Sequence, residues 1–319
     1  MYDVVALGEL LIDFTTQSID SDGYPTMAAH PGGAPANFLA AIAKFGGKVG
    51  MLGKVGTDTF GKLLTNTLRG AGIETKGLVA ADDVFTTLAF VTLDENGDRE
   101  FAFARKPGAD TQLTFDELDL SLIDETRVFH FGTLSLTDEP ARTTTYRAVE
   151  YAKTHGKLVT YDPNLRKPLW RSLDEAKEQM LWGLRQADVV KISDEEAPRV
   201  AGCLTGCPAA DPGGLCRELL DRRENLEMVI LTEGAEGSRV FTRNRISAYV
   251  IPRGERVRPV DTVGAGDSFT AAFCAMLAAG YDIWPAQAFA SKVAAFVCSC
   301  AGATPEYPAA AKTEFSGNL

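Results

Sequence analysis

Six short apolar runs, Val4–Leu7, Val49–Leu52, Val128–Phe131, Leu158–Tyr161, Val189–Ile192 and Met228–Leu231, recur along the chain, with helical patterns between them. Runs apolar at successive positions fit strands buried on both faces. In Pro35–Phe45, Phe38, Leu39, Ile42 and Phe45 share one helical face, and Gly46-Gly47 stops the helix. In Asp58–Ala71 the stripe is Phe60, Leu63, Leu64 and Leu68, ended by Gly72. Further helices are predicted over Glu139–His155, Ser172–Gln186, Gly213–Leu220, Gly266–Ala279 and Pro285–Cys300. Strand–helix alternation on this scale predicts an α/β fold, a mainly parallel sheet with helices on both faces.

Two segments break the rhythm. Thr86–Leu93 and Arg99–Arg105 read as a hairpin whose turn, Asn96-Gly97, supplies positive φ. Phe101, Phe103 and Arg105 then fall on one face of its second strand. Leu11–His30 is a second extended stretch, with Gly23 and Pro25 inside it. Both fit a small antiparallel sheet projecting from the body, with its segments at about 11–31 and 86–108 of a single domain, 1–319.

The 319 residues are 45% hydrophobic and 24% charged, an ordinary globular balance. A net charge of −11 opposes sequence-independent binding of nucleic acid or anionic membrane, both of which need a cationic face. An anionic substrate is compatible with it only if the site supplies positive potential locally. The N-terminus lacks a basic n-region and reads as a first strand, and no apolar run is long enough to span a bilayer. The expectation is a soluble cytoplasmic protein. Cys203, Cys207 and Cys216 lie in or beside a Gly/Pro-rich loop without a nearby histidine, and all six cysteines are expected as free thiols.

Gly56-Thr-Asp-Thr-Phe-Gly61-Lys62-Leu63 nearly matches a phosphate-binding P-loop, but Leu63 replaces the Ser or Thr that meets Mg²⁺. These glycines fit a tight strand–helix connection instead. The sharp signal is Arg258-Pro-Val-Asp261-Thr-Val-Gly264-Ala265-Gly266-Asp267-Ser-Phe269, leading into an alanine-rich helix. Small residues at a helix start let backbone N–H groups converge on an anion, aided by the helix dipole. Asp267, in the first turn, can take a hydroxyl proton beside that hole.

Asp261-Thr-Val-Gly-Ala-Gly-Asp267 resembles the C-terminal signature of the ribokinase-like (PfkB) carbohydrate kinases. The N-terminal signature is similar too, in Pro31-Gly32-Gly33-Ala34-Pro35-Ala36-Asn37 and on through Gly53–Gly61. The resemblance covers nearly the whole chain in order. It implies an ATP-dependent sugar kinase with a three-layer α/β/α body and a small β-sheet lid. Carried over residue by residue, Asp267 matches the catalytic base and Gly264, Ala265 and Gly266 the anion hole, with Arg166 as the cation on phosphoryl oxygens. Asp13, Gly32, Gly33 and Asn37 match sugar-binding positions.

Asp162 and Asn164, in Tyr161-Asp-Pro-Asn-Leu-Arg166, follow a buried strand at the end where open α/β sheets bind ligands. Lys191-Ile-Ser193-Asp-Glu-Glu196 resembles the family's Asn-x-x-Glu element, with Ser193 standing in for Asn. Glu196 then acts on Mg²⁺ through water, and Lys191 approaches the ATP phosphates. Thr232, Gly234 and Gly237 match the nucleotide-side turn, Ser291 borders the adenine, and the loop Cys300–Gly302 helps to hold a monovalent cation such as K⁺.

Within the family, these motifs together with Phe103-Ala-Arg105-Lys-Pro-Gly-Ala-Asp110 most resemble the fructokinases. Phe103, Arg105 and Asp110 are then expected to reach the sugar. The implied reaction is transfer of the ATP γ-phosphate to the 6-hydroxyl of D-fructose. Ribose, 2-keto-3-deoxygluconate or a nucleoside are alternative acceptors. A non-catalytic sugar-responsive regulator is the alternative of another class, and a homodimer through an apolar outer lid face is a further expectation.

Overall fold

The computed structural model describes residues 1–93, 99–200, 211–245, 247–251, 253 and 256–307. The parallel strands are β1 (Tyr2–Leu7), β4 (Val49–Gly56), β5 (Leu78–Ala81), β8 (Thr126–Gly132), β9 (Leu158–Asp162), β10 (Val189–Ser193) and β11 (Met228–Thr232). Antiparallel β12 (Ser238–Thr242) and β13 (Tyr249–Ile251) complete a nine-stranded sheet in the order β13-β12-β11-β10-β9-β8-β1-β4-β5. All six apolar runs lie within these strands.

Period-two alternation divides the core into layers. Along β1, Val5 and Leu7 join one buried cluster and Val4 and Ala6 another. The first cluster is covered by α3 (Leu120–Asp124), α4 (Ala141–Thr154), α5 (Leu173–Gln186) and α6 (Pro212–Arg222). The opposite face is covered by α1 (Ala34–Lys44), α2 (Thr59–Gly70), α7 (Ala265–Ala278) and α8 (Ile283–Cys298). The body is therefore three-layered, α/β/α.

The near-P-loop is a strand–helix connection. Asp58 caps α2 by accepting the N–H groups of Phe60 and Gly61, and Lys62 is exposed. Among the described cysteines, Cys216 is fully buried in α6, where burial pushes its thiol up to about 12. Cys203, Cys207 and the Asn96-Gly97 turn lie outside the described residues.

The rhythm-breaking segments form a separate four-stranded sheet in the order β3-β2-β6-β7, with β2 (Leu11–Ile19), β3 (Pro25–Gly32), β6 (Leu88–Leu93) and β7 (Arg99–Ala104). Its strands are not all antiparallel: the two pairs, β2–β3 and β6–β7, are joined by a parallel β2–β6 contact. Asp13 stands opposite His30 and Ala89, and Ala89 opposite Phe103, which sets Asp13 and Phe103 on one face. Phe14 and Phe90 occupy the other, where their rings stack at 5.3 Å and Phe14 meets Phe60 of α2 edge-on. No helix among the described residues is long and apolar enough to cross a membrane.

Candidate active site

The parallel strands end on one side of the sheet, and the residues just beyond β1, β8, β9 and β10 meet the first turns of α1 and α7 there. Gly33 precedes α1 at φ 117°, and a Cβ on it would stand 2.5 Å from the backbone oxygen of Glu9. Gly264 precedes α7 at φ 77°, and a Cβ there would stand 2.6 Å from the oxygen of Ala303. Both turns therefore require glycine. No side chain caps α7, and its first intrahelical bond runs from Ser268 N–H to the Gly264 carbonyl, 2.8 Å. The amides of Gly264–Asp267 are thus left at the helix mouth, with Ala265 making only a long 3.4 Å bond to Thr262.

Asn37, buried on α1, donates from Nδ2 to Oδ2 of Asp267 at 3.1 Å. Burial pushes the Asp267 carboxyl above its ordinary range, while Asn37, Lys191 and Arg166 pull it back. Lys191, on β10, is buried with Asp162 at the end of β9, 3.3 Å away, and its Nζ lies 3.2 Å from where a Cβ of Gly266 would stand. Asp162 and Glu196 hold the ammonium charged, and burial pushes Asp162 itself upward. Asn164, left-handed at φ 42°, lines a narrow cleft with Asp162, Asp267 and Glu9.

Asp13 reaches the same region from the small sheet. Burial pushes it up to about 6, against the opposite charges of Arg166 and His30. Arg166 also lies 5.7 Å from the ring of Phe101, whose neighbour Phe103 stacks on it at 6.2 Å. One region thus collects Asp13, Gly32, Gly33, Asn37, Asp162, Asn164, Arg166, Lys191 and the Gly264–Asp267 turn.

Ser193 and Glu196 form a second group at the end of β10. Glu196 Oε2 accepts from the N–H and Oγ of Ser193 at 3.1 and 3.0 Å, and Oε1 from the N–H of Leu165 at 3.0 Å. Thr232 stands opposite Ser193 in register and leads into Gly234 and Gly237, both of positive φ. Ser291 is apart from these contacts: its hydroxyl donates to the Gln287 carbonyl one turn back along α8.

Arg105 and Asp110 form a buried pair. Arg105 is 4% exposed and binds Asp110 through Nε and Nη2 at 2.8 and 2.6 Å, with further bonds to Thr137 Oγ1 and the Leu134 carbonyl. Thr87 donates to the other Asp110 oxygen. The pair is bonded internally and ties the root of β7 to the body. Spacing cannot reveal this, because the partners Leu134 and Thr137 come from a distant loop. His130 is a core residue: it stacks on Phe38 at 4.2 Å, bonds Thr160 through Nδ1, and burial pushes it down to about 3. Glu9 was not marked by any motif, although it follows β1 at the strand end where such sheets bind ligands.

The model of the pfkB family carbohydrate kinases matches residues 1–310. The chain is 38% identical over 318 residues to fructokinase-2 of Solanum lycopersicum, covering 97% of this chain and 94% of that one. The fructokinase of Xylella fastidiosa, solved with bound ATP, superposes with a TM-score of 0.87 at 29% identity, covering 99% of this chain and 98% of that one. A putative ribokinase II from E. coli, solved with ATP and Mg²⁺, gives 0.86 at 25% identity over the whole of both chains. With the ribokinase-like fold and both glycine turns in place, the chain belongs to the pfkB family of carbohydrate kinases.

Proposed function

We propose that this sugar kinase transfers the γ-phosphate of ATP to the 6-hydroxyl of D-fructose. The observation that carries the reading is the Asn37–Asp267 bond at the mouth of α7. A carboxylate held beside free helix-start amides pairs a proton acceptor with an anion hole. Asp267 takes the hydroxyl proton as the phosphoryl group leaves ATP. The amides of Gly264–Asp267 and the guanidinium of Arg166 neutralise charge on the transferring group. Asp13 and Asn37 bracket sugar hydroxyls, and the small sheet, acting as a lid, excludes water from the reacting centre.

On this reading the nucleotide lies along Lys191, Ser193, Thr232, Gly234 and Gly237. Glu196 already accepts three hydrogen bonds, which suits it to hold the water shell of Mg²⁺ more than the ion directly. Bound there, Mg²⁺ supplies charge neutralisation to the ATP phosphates. The Asp261 carboxylate accepts the Gly302 N–H at 3.2 Å, which supports K⁺ being held near the Cys300–Gly302 loop. Free thiols at Cys216, Cys274, Cys298 and Cys300 are in keeping with a reducing cytoplasm. The aromatic face of the lid, where Phe14 stacks on Phe90 and Phe60 of α2 joins Phe14 to the half-exposed Phe85, supports a homodimer through that surface.

A coupled ADP-release assay across D-fructose, ribose, 2-keto-3-deoxygluconate, mannose and adenosine tests the reading. Fructose is expected to give the highest kcat/KM. Turnover of another acceptor with fructose inert overturns the assignment, and turnover of none favours a sugar-responsive regulator.

A further inference from the structure

Glu9 lies two residues beyond the end of β1 and is 3% exposed. Its Oε1 accepts the N–H of Ala34, the first residue of α1, at 3.0 Å. Its backbone carbonyl is the surface against which Gly33 packs. Its Oε2 is buried and has no hydrogen-bond partner, and the residue lines the cleft shared by Asp162, Asn164 and Asp267. We propose that Glu9 is a positioning residue of the phosphoryl-transfer site: it fixes the first turn of α1, and with it Gly33 and Asn37, and brings an unpartnered oxygen to the group of residues that lines the cleft with Asp267. The inference rests on the kinase reading above.

The charged and titratable groups around Glu9 come from several elements. Arg105 at the root of β7 and Asp110 act on it from one side. His130 on β8, Asp162 at the end of β9 and Asp267 on α7 share its cleft. Arg105 is already engaged by Asp110, and His130 is neutral. Burial accordingly pushes the Glu9 carboxyl up to about 7, so below that pH Oε2 carries a proton. Losing the proton places a further negative charge among the residues of the cleft that Asp162 and Asp267 also line. It also removes a donor from that cleft, while the bond from the Ala34 N–H at the start of α1 is kept.

The test uses Glu9→Gln and Glu9→Ala in the full chain, with the best acceptor found for the wild type. KM and kcat for acceptor and for ATP are measured between about pH 5 and 9. The wild type is expected to lose acceptor kcat/KM on the alkaline side. Glu9→Gln, which mimics the protonated acid, is expected to lack that limb and to stay within about threefold of the wild-type maximum. Glu9→Ala is expected to raise acceptor KM by about tenfold or more and leave the KM for ATP unchanged. A glutamine variant that keeps the alkaline limb, or fails to fold, overturns the inference. So does an alanine variant with an unchanged acceptor KM, or one in which both KM values rise together. A wild type inactive on every acceptor sinks the kinase reading, and this inference with it. An active wild type with indifferent Glu9 variants sinks this inference alone.

Discussion

Asn37 and Asp267 lie 230 positions apart and meet through one hydrogen bond of 3.1 Å, which locks the first turn of α1 to the first turn of α7. Desolvation raises the pKa of the carboxylate, and the donor opposes that by favouring the charged form. The ionisation of Asp267 is therefore tuned by a partner from the opposite end of the chain.

Replacing Asp267 by Asn removes the proposed proton acceptor and preserves the shape. kcat is expected to fall by about 10²- to 10⁴-fold, while the thermal midpoint and ATP affinity stay near wild type. Steady-state kinetics with calorimetric ATP titration check this, and near-wild-type turnover excludes Asp267 as the base.

Asn37→Ala is expected to move the acid limb of the kcat profile upward, because Asp267 loses a bond that favours its ionised form. The pH–rate profile measures it. An unmoved limb, with only a change in KM, assigns Asn37 to sugar binding alone.

Gly264→Ala forces a Cβ against the Ala303 backbone at φ 77°. The strain is expected to cost about 1–3 kcal/mol and to displace the amides of the helix mouth. Thermal melts and kcat should fall together, and a variant with unchanged turnover refutes the anion-hole geometry.

Glu9 also predicts a pH-dependent stability. Burial raises its folded-state pKa to about 7 from an ordinary 4.5, so the unfolded chain releases the proton first as pH rises. The folded state then loses stability between those two values and is level above them, a change on the order of 3 kcal/mol. Glu9→Gln should therefore melt higher than wild type at pH 8 and equally at pH 4. A gain that is the same at both pH values contradicts the assignment.

Much of this was legible in the chain because periodicity and strand ends are local signals. The six apolar runs are strands, and Asp58 and Ser172 begin helices as hydrogen-bonding caps. Asp267 and Gly264 were marked by an unbroken motif. What the sequence hid is partnership across distance. Arg105 reads in sequence as a cation of the lid strand, and its bonds to Asp110, Thr137 and Leu134 come from chain that no local signal links to it. Glu9 stood in no motif, and its significance comes from the Ala34 amide and the orphaned oxygen. The small sheet was expected to be antiparallel throughout, and the β2–β6 contact between two remote hairpins could not be read from either one.

That parallel contact bears on how the protein is made. Ile12–Thr15 cannot find their neighbours Leu88–Val91 until the intervening chain, including α1, β4 and α2, has been synthesised. Asp13 and Phe103 gain their common surface only then, and Asn37 waits longer still for Asp267. Pairings of such sequence separation close late because loop entropy must be overcome first. Catalytic competence should thus be among the last properties a growing chain acquires, and recovery of turnover during refolding reports the completion of the fold more faithfully than recovery of helix.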